Sequence, residues 1–338
     1  MDSFLGLVWS TLLLASVSVV HAATAEADMI DDAYASPGQL VLLSDGRALN
    51  LRCSGEGAPV IVLEAGGNSD SSTWYRVQPL AARLSRVCAY DRAGYGFSDE
   101  GPLPRDLDAA VADLHALIDA AKIPLPVLLV GHSLGSNIVR RFAQVHPGQV
   151  AGMLLLDPPG QGADERMPPA WKAQSQAALA QRDAFLDQCE EGAEAGGAGA
   201  VGRCLRAPPP WMGAHVADAV KRNKSRPSYW RTLRSELASN GDVFARQVPE
   251  DESYGSIPLV LLRATEEDDV VTGDVRQVLE ASRSQTHARI LAASTNSVAI
   301  DVPDASHDIQ LDRPAALLAP LRRLLAAPTD PELSPIRH

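Results

Sequence analysis

Short, almost wholly apolar runs recur along the chain, separated by segments with helical spacing. Pro59 to Leu63 (PVIVL), Arg86 to Tyr90, Pro126 to Val130 (PVLLV), Val150 to Leu156 and Pro258 to Leu262 (PLVLL) are short, with no regular polar alternation. That pattern predicts strands of a mostly parallel sheet covered on both faces. Val298 to Val302, where alternate residues are apolar, adds a further strand. Ahead of them, Gln39 to Leu43 and Arg47 to Cys53 flank the turn signal Ser44-Asp45-Gly46 and predict an antiparallel hairpin. Between strands, Leu107, Val111, Leu114, Ile118 and Ala121 recur at four- and three-residue steps, which gives one helix an apolar stripe to lay on the sheet. Arg313 to Leu325 predicts the last helix. Pro314 suits its first turn, whereas Pro320 should kink it or remove a backbone hydrogen bond.

The alternation stops between Pro158 and about Tyr254, where helical segments rich in Ala, Gln, Arg and Lys carry two Pro-rich breaks and no convincing strand. The expected organisation is therefore a leader over 1–22, a first core part over 37–158, a helical cap over 159–255 and a second core part over 256–327. The last ten residues read as a loose tail. A chain of 338 residues has room for one domain of roughly 200–250 residues and such an insertion.

Composition narrows the partners. Hydrophobic residues make up 46%, which excludes disorder for the bulk. Lys plus Arg total 30 against 42 Asp plus Glu, and the net charge of -12 is spread without a basic run, so nucleic acid and anionic membrane surfaces are poor partners. No obligate protein partner is inferred. Phe4 to Val20 is almost wholly apolar and runs into Val20-His21-Ala22, which suggests export with cleavage after Ala22 to the periplasm or medium. The alternative is a retained anchor, because the stretch approaches a membrane span and its start carries Asp2 with no Lys or Arg. Four cysteines suit an oxidising compartment. Cys189 and Cys204 bracket a Gly/Ala/Glu-rich loop that a disulfide would close, while Cys53 and Cys88, in apolar runs, read as buried free thiols.

Chemistry concentrates at Gly131-His132-Ser133-Leu134-Gly135, which follows the strand PVLLV and precedes the helical run Asn137 to Gln144. A G-x-S-x-G sequence in that strand-turn-helix context lifts Ser133 out of the sheet on a strained backbone, and the glycines let strand and helix approach. A hydroxyl needs a base to become a nucleophile. Of eight histidines, His307 alone lies just beyond a predicted core strand near the C-terminus, in Asp304-Ala305-Ser306-His307-Asp308, and can reach back to Ser133. His132 is expected to point away from the turn, and His287 to flank a helix end. The loop Ala65-Gly66-Gly67-Asn68 leaves PVIVL with two glycines, which suggests N–H of Gly67 and of Leu134 as donors to an oxyanion. Asp91-Arg92 and Gly94 to Ser98 read as organisers of the loop beneath the site.

VIVLEAGG at Val60 to Gly67, RVCAYDRAGYGFS at Arg86 to Ser98, LLVGHSLG at Leu128 to Gly135 and ASHDIQLDRP at Ala305 to Pro314 together resemble the α/β-hydrolase superfamily, within it the group of haloperoxidases and lipase-like esterases. The resemblance covers roughly Leu40 to Leu325 except the cap. It implies an eight-stranded sheet with flanking helices, a serine nucleophile, no metal and no cofactor. The implied activity is hydrolysis of a carboxylic ester through an acyl-enzyme on Ser133. The three cap tryptophans Trp171, Trp211 and Trp230 suggest an apolar substrate, or else form the cap's own core. Two positions compete for the acid that orients His307. Relatives with the acid after the sixth strand point to Asp157, and those with it after the seventh point to Asp268. Asp157, a lone carboxylate ending an apolar run, is preferred, since an imidazolium would offset its burial. The chain departs from the pattern in Ala65-Gly66, where relatives have His-Gly, in Ser136, where many have Gly, and in a long segment Thr265 to Ser294. A dehalogenase or epoxide hydrolase would carry Asp in place of Ser133. The alternative outside enzymes is a binding protein that keeps the fold without turnover.

Overall fold

The apolar runs pair into one sheet of eight strands in the order β1-β2-β4-β3-β5-β6-β7-β8. The computed structural model describes residues 29–196, 199, 201–266 and 273–327, so the leader 1–22 and Asp268 lie outside the described residues. Strands β1 (Gln39–Leu42), β2 (Ala48–Ser54), β3 (Ile61–Glu64), β4 (Val87–Tyr90), β5 (Val127–His132), β6 (Val150–Leu156), β7 (Leu259–Ala264) and β8 (Ser297–Val302) lie within one to two residues of the apolar runs. Only β2 runs against the rest: it is antiparallel to both β1 and β4, and every pair from β4 to β8 is parallel.

Both faces of the sheet are buried, which is why its strands read as continuous apolar runs. Alternate residues of one strand enter different cores. Val62, Leu129, Met153, Leu155 and Leu261 pack on one face with helices α1 (Leu107–Ala120) and α2 (Leu134–Val145). Ile61, Leu63, Leu128, Val130, Leu154 and Val260 pack on the other with Leu321 and Leu324 of the last helix, α7 (Leu318–Leu325). Between β6 and β7 lie α3 (Pro169–Glu194), α4 (Ala214–Lys224) and α5 (Pro227–Ala245), and α6 (Gly273–Ala292) precedes β8. Leu186 and Cys189 of α3 meet Tyr229, Trp230 and Leu233 of α5 in a small core of their own. Trp230 is thus core, and Trp211 stacks on Tyr75 with ring centroids 4.9 Å apart.

Two expectations are corrected. Cys53 and Cys88 form a disulfide rather than free thiols, because β2 lies beside β4 with these two residues in direct register, their Cα atoms 4.1 Å apart. At the C-terminal end, Pro314–Leu317 forms a separate 3₁₀ turn and α7 starts only at Leu318. Pro320 therefore sits in a first turn, where its missing N–H has no partner to lose. The second disulfide joins Cys189 to Cys204. Both bonds are consistent with export, and among the described residues no helix is long and apolar enough to cross a membrane. Replacing Cys189 and Cys204 by serine is expected to cost about 3 kcal/mol, the loop-closure entropy of a ring this size. Urea denaturation of the double variant against the wild type measures it.

Candidate active site

Four loops leave the carboxyl ends of β3, β5, β6 and β8 and meet above the sheet edge, where open α/β sheets bind ligands. Ser133 stands between β5 and α2 with φ 52° and ψ −121°, a conformation that costs an L-residue free energy and persists only where the surroundings impose it. They do so through backbone bonds from Ser133 N–H to Leu156 O at 3.0 Å and from Ser136 N–H to Ser133 O at 2.9 Å. The flanking glycines are required by contact: a Cβ on Gly131 would lie 2.5 Å from Gly135 O, and one on Gly135 would lie 2.6 Å from Ala65 O. Ser136, one of the departures from the family pattern, donates its hydroxyl to Gly131 O at 2.9 Å and ties the turn closed. Among the described residues Ser133 Oγ has no hydrogen-bond partner, and bonds of this kind often tighten only when substrate enters.

Asp157 and His307 do meet. Asp157 ends β6 with φ 44°, its N–H donates to Leu262 O at 2.9 Å, and Nδ1 of His307 donates to its Oδ2 at 2.7 Å. A carboxylate acceptor fixes the proton on Nδ1 and leaves Nε2 as the free base. Burial pushes the Asp157 carboxyl up, but the His307 hydrogen bond and the Arg283 guanidinium outweigh it and hold the group below its ordinary range. The loop that carries His307 is pinned by Ser306, whose N–H and hydroxyl donate to Asp312 at 2.8 and 2.6 Å. Asp268, the competing acid, lies outside the described residues.

His132 does not point away from the site: its Nε2 donates to the carbonyl of His307 at 2.9 Å, and its Nδ1 faces Gln310 Nε2 at 3.3 Å. Burial, with His307 alongside, lowers its pKa to about 4, so near neutrality it is an uncharged strut. A Cβ on Gly66 would lie 2.9 Å from its Nδ1, which accounts for glycine at that position. His287 is also not at a helix end. It is buried within α6, and its Nε2 bonds to Pro158 O at 2.7 Å.

Beneath the Gly66-Gly67 loop a buried charge network centred on Arg92 organises the backbone. Arg92 donates to the carbonyls of Ala65 and Gly66, each at 2.7 Å, and pairs with Glu64 at 2.8 Å and Glu236 at 3.0 Å. Glu236, from α5, accepts in addition from Asn68 N–H at 2.8 Å and from the Tyr95 hydroxyl at 2.9 Å. Gly67 and Leu134 are adjacent, a Cβ on Gly67 lying 3.6 Å from Leu134 Cδ2, and neither N–H donates within the protein among the described residues. Sequence reasoning missed Glu236 and Arg283. Each stands in a helical segment with many polar residues, where a charge ordinarily marks a solvated face. Glu236→Ala leaves Arg92 with Glu64 as its carboxylate partner but takes the acceptor from the buried Tyr95 hydroxyl, and is expected to lower stability by about 1–3 kcal/mol. Thermal or urea unfolding reads this directly.

Among the described residues no group of three or more His, Cys, Asp and Glu side chains is placed to hold a metal ion. The model of the alpha/beta hydrolase family matches residues 60–320. A Bacillus subtilis protein carrying no assigned function is 37% identical over 107 residues, 31% of this chain and 41% of that protein. The chain spans less than half the length of that relative. Among solved structures, Est816, an N-acyl homoserine lactone degrading enzyme, superposes with a TM-score of 0.55 at 24% identity over 83% of this chain and 98% of that one. The enol-lactonase from Burkholderia xenovorans LB400 gives a TM-score of 0.54 at 19% identity over 86% of this chain and 100% of that one.

Proposed function

Since the chain belongs to the alpha/beta hydrolase family, we propose that it is a serine hydrolase that cleaves carboxylic esters of apolar character through an acyl-enzyme on Ser133. The observation that carries this reading is the bond of 2.7 Å between Nδ1 of His307 and Asp157, which leaves Nε2 basic at the sheet edge where Ser133 is held on its strained turn. Nε2 takes the Ser133 proton as Oγ attacks the ester carbonyl. The oxyanion is met by N–H of Gly67 and Leu134, and α2 points its N-terminus at it. The imidazolium then protonates the leaving alkoxide. Water, deprotonated by the same nitrogen, attacks the acyl-enzyme and frees the acid and Ser133. Asp157 orients the imidazole and stabilises its cation. The region 159–255 is proposed to cover the site as a cap, and residues 1–22 to direct export. No cofactor, nucleic acid or obligate partner enters the scheme.

A panel of p-nitrophenyl esters of increasing acyl length tests the reading. Saturable hydrolysis that favours the longer apolar acyl groups supports it. A purified, folded chain that hydrolyses none of them returns the protein to the class of ligand binders on this fold.

A further inference from the structure

Asp157 has a second partner. From α6, Nη2 of Arg283 donates to Oδ1, the carboxylate oxygen that His307 does not use, and also to the carbonyl of Ala264 at 2.7 Å. The Ala264 N–H reaches the same Oδ1 at 3.3 Å. The helix that brings Arg283 there is fixed by a buried polar stripe. The hydroxyl of Ser282 donates to Gln161 O at 2.6 Å, Gln161 N–H donates to Thr286 Oγ1 at 2.9 Å, and His287 bonds to Pro158 O. The long segment before β8 thus docks on the residues that follow Asp157.

We infer that Arg283 is a positioning residue of the proposed triad: it holds Oδ1 of the Asp157 carboxylate, so that Oδ2 stays aimed at Nδ1 of His307, and it sets its charge beside that pair. This rests on the serine-hydrolase reading. A carboxylate shared with a guanidinium stabilises an imidazolium less than an unshared one, and arginine stays charged throughout the working range. The other groups near Asp157 and His307 do not duplicate that charge. His132, at the end of β5, is buried and neutral, and His287 of α6 is lowered by burial. Arg263 of β7 is paired with Asp301 of β8 at 2.6 Å, and Asp308 lies 3.7 Å from His132 Nε2.

The pH profile of kcat/KM reports ionisation of the free enzyme, so its acid limb follows His307. Removing a nearby positive charge favours the imidazolium. Arg283→Gln is therefore expected to move the acid limb upward by about half to one pH unit, with KM changed less than about twofold. Arg283→Lys, which keeps the charge, should leave the limb in place. Titration of the His307 Cε1–H by NMR in a Ser133→Ala background gives the same comparison without turnover. Failure of the hydrolase reading therefore shows as absent ester cleavage, and failure of this inference as an unmoved His307 midpoint. Arg283→Met, which keeps the aliphatic stem, is the second neutral variant should the glutamine chain not fold. A midpoint within about 0.2 of wild type in the neutral variants, or an equal displacement in Arg283→Lys, overturns the inference.

Discussion

Alanine in place of Ser133 or His307 is expected to lower ester kcat/KM by about 10⁶-fold each, and the double variant should be scarcely worse than either single one. The two groups act as one proton-transfer unit: without the hydroxyl the base has nothing to activate, and without the base the hydroxyl is a poor nucleophile. Stability should respond much less. His307 is 48% exposed at its side chain, and among the described residues its Nδ1 bond to Asp157 is its one side-chain hydrogen bond. Ser133 Oγ has no hydrogen-bond partner among the described residues, and alanine relieves none of the backbone strain at φ 52°. Single-turnover kinetics with a p-nitrophenyl ester, alongside thermal unfolding, separates loss of chemistry from loss of fold. A Ser133→Ala chain with half the wild-type kcat would remove that residue from the scheme.

Asp157→Asn is expected to lower kcat by about 10⁴-fold with little change in KM. An amide can present its NH₂ to Nδ1 and so drive the proton to Nε2, the nitrogen that must be free to accept. It also gives the imidazolium no counter-charge. Asp268→Asn, on the competing acid, should cost less than about tenfold. The opposite pattern would transfer the role to Asp268. Asp157 also contributes to stability with a definite sign. Its folded pKa lies below the ordinary value, so the contribution is present above about pH 4 and is lost as pH falls through the folded value. The wild type should accordingly lose its advantage over Asp157→Asn on acidification, which urea midpoints across pH measure.

The sheet could be read in the sequence because parallel strands buried on both faces must be continuously apolar, and Pro126 to Val130 leading into Gly131 places the turn before Ser133. Strand order is another matter. Nothing local says that β2 lies against β4, and the pairing of Cys53 with Cys88 follows only from that neighbourhood. The setting of Pro320 is not legible locally, because the break at Leu317 arises from how the chain packs after the His307 loop, with Leu317 fully buried, and has no turn residue to announce it. The supporting charges were hidden for a related reason. Glu236 and Arg283 sit on helices between β6 and β8 and are distant in sequence from Arg92 and Asp157, so their partners exist only once the helices dock. Residues with a local backbone signature were legible, and residues whose role is a long-range contact were not.

The account turns on Ser133 being an activated nucleophile, and a fluorophosphonate tests that most directly because it phosphonylates only a serine made reactive by its surroundings. Peptide mapping of the labelled protein should find one adduct, on Ser133, formed in the wild type and absent from His307→Ala. Ester hydrolysis should fall in step with its formation. An adduct on a different serine, or ester turnover that persists after Ser133 is fully labelled, would contradict the account.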